Sequence, residues 1–460
     1  MKKNGVNLFL LALNKGRALS YGGKIMKKTL SFLSCLMITL LTLVGCSNGN
    51  SSDTTTNETP KPDQVEEGSK TDVVEITLLQ NKPEIDAKLK SFVSDYEKQT
   101  GVKIKVKSCG GDTCQLTTQL KADFASGDEP DIFVIDGLTM YEDYSEYILS
   151  LDGEPWVVDT GVAFTNEGTV YGFPISIEGW GLAYNKDLLD KAGIDPSTLT
   201  SYDAYVEAFK KLDGMKDELG IDSVVSMAAG AGMEWVMRDH NINSYLSNGL
   251  EYGDLSITEK AVVGELDVTR FTEYANWVNL LFDYADQTIL TTGNYDDQIG
   301  SFANQKSVFV HQGNWIEPNL EQLGATFNRG YAPQGSSVSV TDGIFVGAPS
   351  WYVVNKNSEN IQACKDFLTY LGTTEEGYSF VIDELGAVPA FNSVSNKPDA
   401  PLSASIMEWS EQGKIYSWNQ YYLPNEFREK LGPIYGLLAQ DQITVDEFVQ
   451  MMIDEFAALK

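Results

Sequence analysis

The chain has 460 residues, 42% of them hydrophobic and 22% charged, and a formal net charge of −31. That length accommodates two or three domains, and that composition folds and buries sizeable cores. So acidic a surface repels phosphate backbones, which excludes nucleic acid as a partner and leaves solubility as the plain reading of the charge.

From Met26 the chain reads MKKTLSFLSCLMITLLTLVGC. Lys27 and Lys28 form a basic start, and roughly fifteen mostly apolar residues follow, a secretory signal too short for a membrane-spanning helix. The run ends Leu43-Val44-Gly45-Cys46. This resembles the bacterial lipobox, in which the cysteine is lipidated and becomes the new N-terminus; the alternative is an ordinary cleavage site with an incidental cysteine. Residues 1–45 are therefore expected to be a signal peptide, with Met26 a candidate true start. Residues 46–72 carry many Ser, Thr, Asn and Pro and almost no apolar side chains. Such a segment cannot offset its conformational entropy by burial, so it reads as a flexible tether. Anchor and tether together imply work at the outer face of the cytoplasmic membrane.

The next region reads strand, helix, strand, helix, strand. VVEITLL is a β-branched apolar run, and Ile85, Leu89, Phe92, Val93 and Tyr96 recur at helical spacing before Gly101. VKIKVKS alternates, as a strand with one wet face does. Leu116, Leu120 and Phe124 form a second helical stripe, and DIFVID a short buried strand. The pattern implies a parallel sheet, with ligands bound outside the carboxyl ends of its strands. That marks Gln80-Asn81-Lys82, the loop from Cys109 to Cys114, and Asp136-Gly137. Outside the cell Cys109 and Cys114 could form a disulfide. Cys364 is most simply a core residue.

Further on, EGWGLAYN alternates strictly. Glu178, Trp180, Leu182 and Tyr184 share one strand face, with Gly179, Gly181 and Ala183 on the other. SYDAYVEAFKKL, TRFTEYANWVNLLFDYA and ENIQACKDFLTYLG are amphipathic helices; SVFVHQG and GIFVGAPSWYVVN contain strands. A capping box at Thr444 and Glu447 opens the last helix.

Enzymatic motifs are mostly missing: no Walker loop, no HExxH, no GxSxG. With only His240 and His311, a histidine metal site or a Ser-His triad has little to work with. No metal or other cofactor is expected, while a glycosidase-like carboxylate pair stays open from spacing alone. Aromatic residues instead gather at strand ends and loops: Trp180, Trp235, Trp315, Trp351 and Tyr421-Tyr422. Indole faces suit the C–H face of a sugar, although each tryptophan alone is more often core.

The order of segments resembles the extracellular solute-binding proteins of ABC importers, in the sugar-binding family that includes maltose-binding protein. The resemblance covers nearly all of 73–460. Its most specific piece is YGFPISIEGWGLAYNKDLLDKAGID, Tyr171 to Asp195, supported in order by PDIFVID, SFANQKSVFVHQGNW, WYVVNKNSENIQACKDFLTYL and LGAVPAF. It implies an α/β fold of two lobes, each a mainly parallel sheet flanked by helices, joined by hinge crossings with the ligand clamped between. By analogy the first lobe takes 73–177 and 329–356, the second 178–328 and 357–460. It further implies that Glu178 is a ligand-binding acid on the hinge, that Trp315 stacks on sugar, that Trp235 lies near another aromatic position, and that Asn81, Lys82 and Asp136 meet the ligand from the first lobe. Tyr422 lies near a loosely aligned C-terminal aromatic position; Trp180 and Trp351 are added from local reasoning. The CGGDTC loop has no counterpart in the resemblance. The expected protein is a monomeric, non-enzymatic, lipid-anchored receptor that delivers a carbohydrate to a membrane permease. The competing readings are a secreted glycan hydrolase using Glu178 and Asp136, and a glycan sensor or adhesin without transport.

Overall fold

The computed structural model describes residues 74–110, 114–230, 232–336 and 342–459. The expected signal peptide, the lipidated Cys46 and the tether lie outside the described residues.

The chain begins as its periodicity requires. Strand β1 (Glu75–Gln80) leads to the helix Asp86–Thr100, which buries Leu89, Phe92, Val93 and Tyr96 and stops at Gly101 in the left-handed region (φ 76°). Strand β2 (Lys103–Ser108), the helix Leu116–Ser126 and strand β3 (Ile132–Ile135) follow. β2 and β3 both pair parallel with β1. β2 ends the sheet, and its three lysines suit a strand that must not pair further.

Strands β4 (Phe164–Asn166) and β5 (Thr169–Pro174) form a hairpin pair at the far edge. The chain then leaves this sheet. β6 (Glu178–Trp180) belongs to a small three-stranded sheet and β7 (Leu182–Asn185) to a third one. β8 (Ser223–Ser226), β9 (Ser307–Val310) and β10 (Arg329–Ala332) complete that third sheet, ordered β10-β7-β9-β8. The return runs through β11 (Ile344–Gly347), which pairs with β6, to β12 (Trp351–Val354), which pairs with β3 and β5 in the first sheet. The first sheet is thus ordered β2-β1-β3-β12-β5-β4. A third crossing, β13 (Ile415–Tyr416), lies parallel to β11. The two-lobed α/β fold is therefore present, with the small sheet β13-β11-β6 as its hinge.

Two details differ from the sequence reading. The sheets are mixed: β3/β12, β12/β5 and β5/β4 are antiparallel, as are β10/β7 and β7/β9. A chain that leaves a lobe and comes back enters against the local strand direction, which a βαβ count cannot register. The lobe boundaries also move. β10, expected in the first lobe, pairs with β7 in the second. Residues 361–394, expected in the second lobe, pack on the first: Phe92 stacks on Phe380 at 4.3 Å, Tyr96 meets Tyr370 at 5.0 Å, and Phe173 meets Phe391 at 5.4 Å. The helix Ile361–Thr373 has an apolar face that fits either lobe on periodicity alone; only the partner aromatics decide. The second core gathers Phe209, Trp277, Phe309 and Phe448 with the C-terminal helices Asn425–Ala439 and Val445–Ala457.

Candidate binding site

The carboxyl ends of β1, β2 and β3 open onto a cavity of about 270 Å³, closed on the other sides by the hinge and the second lobe. Asn81, Lys82 and Glu84 line it after β1, Cys109 and Gly110 after β2, and Asp136 after β3. All three positions marked from the sheet rule are therefore at the cavity. Cys109 and Cys114 are joined by a disulfide. Gly110 sits against the end of β1, where a Cβ would lie 2.2 Å from the Asn81 carbonyl oxygen.

The hinge contributes Glu178 at the start of β6, together with Trp418 and Tyr421 beyond β13. Tyr421 reaches the cavity because Gly137 has no side chain: a Cβ there would meet the Tyr421 Cβ at 2.7 Å. The Tyr421 hydroxyl donates to the Pro349 carbonyl at 2.6 Å, which fixes its ring. From the second lobe come Trp315 after β9, and Trp235 followed by a π-helical turn, Val236–Asn241. Such turns recur at functional sites because the extra residue re-aims side chains. Here Arg238, Asp239 and His240 all line the cavity.

The buried charges of the cavity are paired. Lys82 Nζ donates to Glu178 Oε1 at 2.6 Å and lies 3.9 Å from Glu84 Oε1. Burial would lower the Lys82 pKa, but the Glu178 and Glu84 carboxylates outweigh it and hold the ammonium above its ordinary range. Burial pushes Glu84 up to about 7, against the pull of Lys82. On the far side Arg428 bridges two acids, Asp239 within the second lobe and Asp136 across the cleft, the latter at 3.4 Å. Burial leaves Asp136 above its ordinary range despite Arg428. For Asp239 burial is overcome, with Arg428 and Arg238 holding the carboxyl low.

Aromatic rings surround His240. Trp315 lies 4.9 Å from it, Trp235 5.2 Å, Trp418 5.8 Å and Trp180 6.0 Å. Burial lowers the His240 pKa to about 4, so the imidazole is neutral at ordinary pH. Seven residues of the cavity wall also carry a buried polar atom with no hydrogen-bond partner. Six are donors: Trp235 Nε1, Arg238 Nε, Trp418 Nε1, Gln420 Nε2, Asn425 Nδ2 and Arg428 Nε. One is an acceptor, Asp136 Oδ1. Buried polar groups are nearly always satisfied, so seven such residues along one wall stand out.

Of the residues singled out from the sequence, the structure brings together Asn81, Lys82, Asp136, Glu178, Trp235 and Trp315. Three it does not. Trp180 is fully buried and stacks on Phe345 at 4.1 Å and 14°, because the cross-strand pairing of β6 with β11 sets the two rings face to face. It is a packing wedge behind the site. Trp351 turns its ring onto Phe164, and its indole donates to the Val162 carbonyl at 2.7 Å. Tyr422 is 41% exposed and outside the cavity, while its neighbour Tyr421 lines it. A short 3₁₀ turn, Asn419–Tyr422, decides which of two adjacent tyrosines points inward. Trp418, Arg238, Asp239, His240 and Arg428 were missed. The only local signal was the run Trp-Val-Met-Arg-Asp-His, where charge follows an indole in an apolar context.

This arrangement, two lobes hinged by three crossings around a polar, aromatic-lined cleft, defines a ligand receptor of the solute-binding type. Residues 91–407 match the family described as bacterial extracellular solute-binding protein, and the chain belongs to that family. It is 25% identical over 379 residues to the multiple sugar-binding protein of Streptococcus mutans, covering 76% of this chain and 83% of that one. It is 21% identical over 449 residues to the melibiose/raffinose/stachyose-binding protein of Bacillus subtilis, covering 94% and 96%. The fold matches a solved structure of a sugar transporter from Bacillus licheniformis in complex with stachyose, with TM-score 0.68 and 19% identity over 84% of this chain and 100% of that one. No helix among the described residues is long and apolar enough to cross a membrane.

Proposed function

We propose that the protein is an extracellular receptor that closes its two lobes on a neutral oligosaccharide and presents it to the permease of an ABC importer. The observation that carries this is the cavity wall with three indoles and six buried donors that have no protein hydrogen-bond partner, two of them indole N–H groups. Hydroxyl, ring and glycosidic oxygens are acceptors, and sugar C–H faces pack on indoles. A polyamine brings only donors and would leave all six unmet. An acidic sugar brings acceptors but also charge, and each cation here already faces carboxylates: Lys82 has Glu178 and Glu84, Arg428 has Asp239 and Asp136, and Arg238 has Asp239 at 3.7 Å. In this reading the contacts are Glu178, Asp136, Asn81, Lys82, Trp235 and Trp315, with Trp418, Tyr421 and His240 added. The same pairing disfavours hydrolysis by these two carboxylates, since Lys82 holds Glu178 as an ion pair and Arg428 ties Asp136 across the cleft.

A thermal-shift screen over neutral mono- and oligosaccharides, a uronate and spermidine tests the ligand class. A ligand at 100 times its Kd stabilises the folded state by about 2.7 kcal/mol, several degrees in melting temperature. A shift with spermidine and none with any carbohydrate would overturn the proposal. In this reading a lipid on Cys46 holds the receptor beside its permease through the tether 46–72. Cys46→Ala should move the protein from the membrane fraction to the medium or periplasm; unchanged retention would remove the anchor from the proposal.

A further inference from the structure

Among the three indoles at the cavity, one is treated differently. The N–H groups of Trp235 and Trp418 have no protein partner, whereas Trp315 Nε1 donates to Gln312 Oε1 at 2.9 Å. Gln312 is 1% exposed and donates through Nε2 to Gln298 Oε1 at 2.8 Å. Gln298 is fully buried on the helix Tyr295–Ala303, and its Nε2 donates to the carbonyls of Ser226 at 3.2 Å and His311 at 3.3 Å. A chain of two buried amides thus ties the indole to β8 and to the segment after β9. The other side of the ring is constrained independently. It lies over Gly313, where a Cβ would fall 2.0 Å from a ring carbon, and Gly313 has φ −96°, which any residue can adopt. Glycine stands there to admit the ring, not to bend the backbone.

A core tryptophan needs neither device, as Trp180 shows: fully buried, stacked, its N–H unbonded. Burying two amides is costly unless each is satisfied, so their use for one partly exposed ring calls for a reason. We infer that Gln312 and Gln298, neither of which lines the cavity, are positioning residues that set the plane of Trp315 before ligand arrives. Trp315 then offers a preset stacking face, while Trp235 and Trp418 keep their N–H groups for the ligand. A preset face saves the ordering cost that a mobile side chain would exact from binding. The inference rests on the sugar-receptor reading for its use, and on the protein's own contacts for its geometry.

The test compares Gln312→Met, which keeps the volume and removes the acceptor, with Gln312→Glu. A buried Glu stays protonated, and so accepts from the indole and donates to Gln298 as Gln does. The chain has eight tryptophans, hence eight indole N–H signals in a ¹H–¹⁵N spectrum, and Trp315→Ala identifies the one concerned. In the unliganded protein that signal should shift and exchange faster in Gln312→Met and in Gln298→Met, and return toward wild type in Gln312→Glu. Affinity for stachyose, used as the probe, should fall about tenfold in Gln312→Met and recover in Gln312→Glu. An unmoved indole signal in Gln312→Met overturns the inference whether or not stachyose binds. So does unchanged stachyose affinity in Gln312→Met where Trp315→Ala loses it. If Trp315→Ala itself binds stachyose normally while the indole signal responds as expected, the positioning stands and the stacking role of the proposed function falls.

Discussion

At the residue scale the tryptophans separate into two kinds that composition cannot distinguish. Trp180 lies between two glycines and Trp315 two residues after one, and each comes near a strand end. Yet one is sealed against Phe345 and the other is partly exposed to the cavity. Trp180→Ala should therefore cost about 3–5 kcal/mol of stability in chemical denaturation, the range for emptying a large buried site. Trp235→Ala should leave the unliganded melting temperature within about 2 °C and weaken oligosaccharide binding, since a partly exposed ring that lines the cavity does more for a ligand than for the core. Calorimetric titration and a melting curve on the same sample separate the two outcomes. Equal loss of stability in both variants would contradict the division.

At the scale of elements, the approach of β11 to β6 and of β10 to the start of β7 explains the glycines of EGWGLAYN. At Gly181 a Cβ would lie 2.4 Å from the Ala332 carbonyl oxygen, and at Gly179 2.9 Å from that of Phe345. Neither position has positive φ among the described residues. They serve close backbone approach across the crossing strands, not backbone freedom. Gly181→Ala should then cost more than the ordinary 1–3 kcal/mol of overpacking, because backbone rather than a side chain must yield. A measured cost below 1 kcal/mol would contradict this close approach. The Cys109–Cys114 bridge closes a short loop at the first-lobe wall. Its reduction by a small thiol should lower the unfolding free energy by about 2 kcal/mol on the chain-entropy account. Denaturation midpoints with and without the thiol measure this directly.

At the scale of the whole molecule, buried titrating groups oppose each other. The Glu84 pKa, raised to about 7 from 4.5, adds stability that is full below about pH 4.5 and is lost as pH rises through 7. His240 and His311, lowered by burial to about 4 and about 3 from 6.5, add stability that is full above about pH 6.5 and is lost as pH falls through those values. Acidifying from pH 7 to 5 therefore gains from the glutamate and loses from the histidines. Glu84→Gln removes only the gain, so its melting temperature should fall more steeply over that interval than that of the wild type. Parallel curves would show that Glu84 titrates normally.

Much of the fold was legible in the chain: the β1-helix-β2-helix-β3 order, the strand ends that open on the cavity, and the last capped helix, all set by local periodicity and end signals, while the hinge at Glu178 was legible only through the resemblance. The resemblance, rather than local spacing, singled out Trp235 and Trp315, which both line the cavity. What local spacing could not carry was which lobe owns a helix, which face of an alternating strand meets solvent, and which charges meet. The helix Ile361–Thr373 belongs to the first lobe because of Phe92 and Tyr96, more than 260 residues earlier. Arg428 joins the site because Asp136 lies 292 positions before it. Trp180 is sealed because β11, far along the chain, lays Phe345 on it. Local hydrogen bonding and hydrophobic spacing act within a few residues and are written in the sequence; ion pairing and ring stacking act across space, and only the folded chain decides which residues share it.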